Sequence, residues 1–153
     1  MDVERCRRRV VRERVVPKSN EVVREEPDAA VLQRAYDHYR ERPHEFEGPA
    51  ARVAARVVGE KCESRWVTRA SRDGRFDFVC LLHVGDPRSR TGVVVLGQAK
   101  CVSPNSSVGP EALARLVARL RRDWIGASVT TETYSDQAQE EVLADSYPLL
   151  LIN

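Results

Sequence analysis

The sequence predicts an α/β fold, and three features predict it. Short apolar runs dense in Val and Leu, such as Val93-Val94-Val95-Leu96, are bounded by turn residues and read as buried strands. Other segments repeat apolar residues every three or four positions and read as amphipathic helices. After a block of three strands the two kinds alternate as helix-strand-helix-strand, an order that lays helices against a sheet.

Bulk properties narrow the class. At 153 residues the chain suits one domain with a substantial core. Its 42% hydrophobic and 31% charged residues are ordinary for a globular protein. A net charge of +2 means that any attraction to nucleic acid must come from local Arg clusters rather than from the field of the whole molecule. Among 25 basic residues only Lys18, Lys61 and Lys100 are lysines, which makes Lys100 conspicuous. No apolar run approaches the roughly 18 residues of a membrane span, and Met1-Asp2-Val3-Glu4-Arg5 lacks the apolar centre of a signal peptide. The expectation is a cytoplasmic protein with no membrane partner. Cys6, Cys62, Cys80 and Cys101 show neither CxxC spacing nor His at zinc-site intervals, so they read as reduced, core-filling thiols.

Residues 1–28 mix eight basic with seven acidic side chains among valines, and Pro17 and Pro27 limit regular structure. A helix is expected from Asp28, as N-cap, to Arg42, with Val31, Leu32, Ala35, Tyr36 and Tyr39 as its apolar stripe. Pro43 ends it. Residues 1–42 thus form a charged segment and helix ahead of a main unit at 43–153. The second helix, Glu45 to Val58, repeats Phe46, Ala50, Val53, Ala54 and Val57 and closes on Gly59. Glu47 lies at its start, where the helix dipole favours an acid.

Cys62 to Ala70 reads as a strand, Ser71-Arg72-Asp73-Gly74 as a turn, and Phe76 to Val84 as the second strand. Gly85 to Gly92 is a hairpin loop leading into the third strand, which ends Gly97-Gln98-Ala99-Lys100. Residues 101–110 read as a polar loop. A helix follows from Pro110 to Trp124, with Leu113, Leu116, Val117, Leu120 and Trp124 inward and Arg115, Arg119 and Arg122 along another face. Ile125 to Thr131 is a strand, Asp136 to Asp145 a helix capped by Ser135, and Pro148 to Ile152 the last strand.

The chemistry concentrates at the third strand. Residues two apart on a strand share a face, so Gln98 and Lys100 project together from an otherwise apolar element. Both are costly at a core edge unless something there needs them. An antiparallel pairing across the hairpin is compatible with Asp77 lying close to them, although the loop length does not fix the register. Hydrolysing a phosphodiester requires neutralising the phosphate and activating a water, which one or two Mg²⁺ ions supply when oxygen ligands hold them. Asp77 is the expected anionic ligand, with the Gln98 side-chain oxygen and the Ala99 carbonyl completing the protein face. Lys100 would orient water or stabilise developing negative charge, and Glu47 would hold a further water or ion. Gln98 is neutral where an acid is expected, which lowers the charge of the site. Asp77, Gln98, Lys100 and Glu47 are therefore the expected catalytic residues.

The ordered set His44-Glu45-Phe46-Glu47, Asp73-Gly74-Arg75-Phe76-Asp77, Gly97-Gln98-Ala99-Lys100, Gly126-Ala127-Ser128-Val129-Thr130-Thr131 and Tyr134-Ser135-Asp136-Gln137-Ala138 resembles the Mrr-like branch of the PD-(D/E)xK nucleases. The matching pieces cover residues 43–153. The resemblance implies a restriction-endonuclease-like core, a central mixed β-sheet flanked by α-helices, and DNA cleavage with Mg²⁺, for which Mn²⁺ can stand in. It implies that Asp77 carries the metal, that QxK is a family variant of ExK, and that Glu47 corresponds to the family's helix glutamate. DNA is then the expected partner, with Arg75, Arg115, Arg119, Arg122 and Thr130 as candidate contacts. Relatives commonly carry a separate DNA-reading domain, so target choice, including modified bases, is expected to reside elsewhere. Cutting both strands of a duplex also suggests a homodimer. The alternative is a catalytically inactive nucleic-acid-binding or assembly module on the same fold, and the same residues would equally serve RNA or branched DNA.

Overall fold

The computed structural model describes residues 26–59, 62–67, 76–86, 88, 90–145 and 147–153, with backbone alone at 26–28 and 63–66. Cys6, the expected turn at residues 71–74 and Arg75 lie outside the described residues. Helix α1 (Glu26–Tyr39) and a 3₁₀ turn (Pro43–Phe46) lead into α2 (Glu47–Val58). Strands β1 (Cys62–Val67), β2 (Phe78–Val84) and β3 (Thr91–Lys100) follow, then β4 (Ser107–Val108), α3 (Pro110–Val117), β5 (Ile125–Thr130), β6 (Thr133–Tyr134), α4 (Asp136–Asp145) and β7 (Leu149–Ile152). The expected α/β class and order are observed. Among the described residues no helix is long and apolar enough to cross a membrane.

Five strands form one sheet in the order β1-β2-β3-β5-β7. The first two pairings are antiparallel and the last two parallel, so the sheet is mixed. Parallel neighbours need crossover connections, which α3 and α4 provide. Alternation along the strands then sorts the core into two faces. Val95, Ala127, Val129 and Ile152 meet α2 and Phe46, while Leu96, Leu149 and Leu151 meet Leu113, Leu116 and Val142 of α3 and α4. Burying both faces explains why these strands read as nearly continuous apolar runs.

Several expectations are corrected. Helix α1 begins at Glu26, so Asp28 lies within it rather than capping it, and Val31 is 55% exposed. On α2 the buried face is Ala50, Ala51, Ala54 and Ala55, while Val53 and Val57 are 44% and 56% exposed. Methyl side chains allow the helix to lie close against the sheet, and the branched valines fall on the opposite side. Gly59 closes α2 as expected, its N–H donating to the Ala55 carbonyl at 3.1 Å. Helix α3 stops at Val117 instead of reaching Trp124. The Arg119 and Leu120 N–H groups turn to carbonyls three residues back, both at 3.0 Å, and Asp123 takes a left-handed φ of 67°. This reversal keeps Leu120 and Trp124 in the core while delivering the chain to β5. A small parallel pair, β4–β6, stands where a polar loop was expected. Ser135 caps α4 as expected, accepting from the Ala138 N–H at 3.2 Å.

Two details fix the centre of the sheet. Phe78 faces Gly97 directly across β2–β3. Its ring lies so close over the glycine that a Cβ at 97 would fall inside the ring. The Tyr134 hydroxyl is 2.7 Å from the Ser128 carbonyl and 3.3 Å from that of Ile152, tying β5 to β7. Burial pushes its phenol pKa up, so the group stays a proton donor.

Two variants test this packing by urea unfolding. Gly97→Ala is expected to cost about 1–3 kcal/mol, the range of overpacked cores; stability equal to the parent would contradict the close Phe78 contact. Tyr134→Phe is expected to lose about 1–2 kcal/mol, because it strands buried carbonyls.

Candidate functional site

The register of β2 and β3 builds the site. Phe78 pairs with Gly97, and the preceding residue, Asp77, lies just before β2, beside the end of β3. The Asp77 N–H donates to the Gly97 carbonyl at 2.9 Å. Its carboxylate Oδ2 accepts the Ala99 N–H at 2.7 Å. The acid is thereby gripped by β3 on both sides of Gln98. Gln98 and Lys100, both half-buried, leave β3 on one face, and Lys100 pairs with Thr130 of β5. Asp77 thus lies against the strand that carries Gln98 and Lys100, and the Lys100 charge acts on it.

Glu47 approaches from α2. Phe46, 7% exposed, anchors the helix start and meets the Tyr39 ring at 5.5 Å. Burial raises the Glu47 pKa, the negative charge of Asp77 raises it further, and His44 pulls the other way. A merely solvated first-turn acid would not feel Asp77, so Glu47 belongs to the same electrostatic neighbourhood. Burial also raises the Asp77 pKa, opposed by the Ala99 N–H, Lys100 and then Arg119. Asp77 thus feels two cations, while Glu47 feels the neighbouring acid.

The arginine row is divided by the early end of α3. Arg119 and Arg122 lie beyond the helix; Arg115 and Arg122 are exposed, whereas Arg119 is half-buried and acts on Asp77. Thr130 is 4% exposed and its Oγ1 accepts the Glu132 N–H at 3.3 Å, so its side chain is turned inward. The exits of β3 and β5 are clamped together. The Thr131 N–H donates to the Lys100 carbonyl at 3.3 Å, and the Thr131 hydroxyl bonds both the N–H and the carbonyl of Val102 at 3.1 Å.

Sequence reasoning passed over Glu132, a buried acid immediately after this clamp at 4% exposure, and Ser128, fully buried beside Gln98. Their only signal was proximity to the Thr130-Thr131 pair. A groove of about 290 Å³ between α3 and α4, lined by Leu113, Val117 and Val142, contains none of the residues around Asp77.

Among the described residues no three Asp, Glu, His or Cys side chains cluster as a metal site. The oxygen donors present are two carboxylates and the Gln98 amide. The buried Gln98 Oε1 has no hydrogen-bond donor. An orphaned oxygen on the residue between the two that hold Asp77 fits a hard cation such as Mg²⁺ or Mn²⁺.

The raised Asp77 pKa carries a stability consequence. A carboxyl whose folded pKa is raised contributes stability below its unfolded pKa, and that contribution is lost as pH rises through the folded value. At neutral pH the cation-free fold therefore carries the cost of this buried charge. Asp77→Asn keeps an acceptor for Ala99 and removes the charge, so its melting temperature is expected to exceed the parent's at pH 7. The gap should close as pH falls to about 4, near the ordinary carboxylate value. A variant less stable than the parent at pH 7 would refute this.

Comparison with known proteins gives concordant results. Residues 39–153 match the family Mrr_cat, described as restriction endonuclease. The structure resembles MspJI restriction endonuclease in complex with a 27-mer oligonucleotide, at 46% identity and a TM-score of 0.84. That match covers 92% of this chain and 33% of that one. It also resembles the DNA modification-dependent restriction endonuclease AspBHI, at 29% identity and a TM-score of 0.80, covering 94% of this chain and 37% of that one. This chain spans roughly a third of the length of these solved relatives. No curated protein matches it.

Proposed function

The chain belongs to the Mrr_cat family of restriction endonucleases, and from that premise we propose that it hydrolyses phosphodiester bonds of DNA in a restriction or defence system. The observation that carries this reading is the grip of β3 on Asp77 through Gly97 and Ala99, with Gln98 between them and Lys100 on the Gln98 face. Asp77, the Gln98 Oε1 and the Ala99 carbonyl would hold Mg²⁺ or, standing in for it, Mn²⁺. When bound there, the cation supplies Lewis-acid neutralisation of phosphate charge.

The remaining work falls to this chain's own side chains. The Ala99 N–H fixes one oxygen of Asp77 and so orients its carboxylate before substrate arrives. Lys100 directs its ammonium to the negative charge that develops on the reacting phosphate. Glu47 accepts a hydrogen bond from the attacking water, and its raised proton affinity suits that task. Arg119 meets the DNA backbone next to the site, and the exposed Arg115 and Arg122 meet phosphates further out. Arg75 belongs to the same set by its sequence position.

The solved relatives are about three times as long, and one is described as dependent on DNA modification. Target choice, including response to modified bases, is accordingly assigned to a DNA-reading domain or subunit distinct from the fold described above. Symmetric cleavage of a duplex would use two copies of the site. Action on cellular DNA makes the cytoplasm its compartment. The neutral Gln98 favours one alternative, an inactive DNA-binding module on the same fold.

Plasmid cleavage separates these readings. With Mg²⁺ or Mn²⁺, on modified and unmodified DNA, the parent is expected to cut. Lys100→Ala should reduce the rate at least about 10²-fold, the scale of losing a charge-stabilising donor. A Lys100→Ala variant cutting at the parental rate would remove Lys100 from the mechanism. Salt-sensitive DNA binding without cutting, in parent and variant alike, would decide for the inactive module.

A further inference from the structure

Two surfaces on opposite sides of the sheet are left uncovered by the described residues. The first is the outer face of α2. Val53 and Val57 stand there 44% and 56% exposed, and the exposed Arg52 and Arg56 form a second row beside them. Neither arginine meets a carboxylate among the described residues. Like charges four apart on a helix repel, and exposed β-branched side chains add nothing to helix stability. The isolated fold gains nothing from this ridge.

The second surface is the groove of about 290 Å³ between α3 and α4. Leu113 and Val117 of α3 and Val142 of α4 line it, and the exposed Glu141 and Asp145 of α4 stand at its edge. These residues come from successive turns of both helices, so the groove runs along them. Helix α4 carries four acids, Asp136, Glu140, Glu141 and Asp145, and no base. Asp145 sits in the last turn, where the helix dipole disfavours negative charge. Such a helix repels DNA, so the fitting occupant is a protein surface with apolar side chains and positive charge.

The α2 ridge has that chemistry and that spacing. Val53 and Val57, Arg52 and Arg56, Leu113 and Val117, and Glu141 and Asp145 are each four residues apart, about 6 Å along a helix axis. A helix laid along the groove seats the two valines between α3 and α4, as a ridge packs into a groove, and brings two arginines to two acids. Helix α2 covers one face of the sheet and α3 and α4 the other, so one copy cannot fill its own groove.

We propose that the chain associates head to tail, with the α2 ridge of one copy lying in the α3–α4 groove of a second copy. The contact is heterologous, so it is separate from any two-fold pairing used to cut both strands. It does not depend on the nuclease reading. A seam of two helical turns falls at the small end of specific interfaces, below about 1,200 Å², so the association is weak and salt-sensitive.

Sedimentation velocity of the full 153-residue chain at concentrations up to about 200 µM tests the proposal. At low salt the parent is expected to sediment faster as its concentration rises, and at about 1 M salt that dependence should weaken. Arg52→Glu with Arg56→Glu makes the ridge acidic, and Glu141→Lys with Asp145→Lys makes the groove basic. Each double variant is expected to associate at least about tenfold more weakly than the parent. All four positions are exposed, so both variants should melt close to the parent. Mixing the two variants should restore association, because the native ridge of one meets the native groove of the other. A parent that stays monomeric at low salt, a double variant that associates as the parent does, or a mixture that fails to recover would each overturn the proposal. A monomeric parent whose DNA binding is lost in the arginine variant would assign the ridge to nucleic acid instead.

Discussion

The hydrogen bond from the Ala99 N–H to the Asp77 carboxylate is the contact on which the site depends. It requires β2 and β3 to meet in one register, because a slip of one residue would move every side chain of β3 to the opposite face. The Phe78–Gly97 contact opposes such a slip, since no other position of β3 preceding Gln98 offers a ring-sized gap except the distant Gly92. A packing constraint one residue away thus sets where the acid stands. The parallel pairing with β5 then fixes the other side of Gln98, and the Thr131 clamp holds the end of β3 where Lys100 leaves the sheet.

Charge follows from this geometry. Asp77 and Glu47 repel, and burial makes each charge costlier still. Lys100 and Arg119 offset Asp77 without removing the penalty, since its pKa remains raised. Such a cluster is poorly suited to stabilising a cation-free fold and well suited to receiving positive charge. The stability sacrificed at the site is recovered elsewhere, in the two apolar faces of the sheet and in the Tyr134 tie between β5 and β7.

What the sequence made legible was mostly strand chemistry. Period-two alternation put Gln98 and Lys100 on one face, and the hairpin was compatible with Asp77 lying near them without fixing the register, which the family resemblance and not strand geometry favoured. Helical periodicity was less informative. It grouped Val53 and Val57 with the core of α2, although the sheet accepts the smaller alanines, and it carried α3 through a reversal that depends on Asp123 adopting a left-handed backbone. Two-residue strands such as β4 and β6 are too short to show a period, so their pairing was invisible. Ser128 stood within a matching motif, but its place beside Gln98 follows only from the parallel register of β3 and β5.

The neutral residue at 98 looked like a weakness while it was judged as a metal ligand alone. In the folded cluster, Asp77 and Glu47 carry two negative charges, and Lys100 and Arg119 carry two positive ones. A glutamate at 98 would add a third acid beside two whose protons already leave reluctantly, raising the cost of charging all of them. Glutamine keeps the oxygen and avoids that cost. It introduces a different difficulty, because only one end of an amide can serve a cation. On the proposed cation reading, a carboxylate at 98 would supply charge, whereas the amide has to present its one oxygen in the right direction.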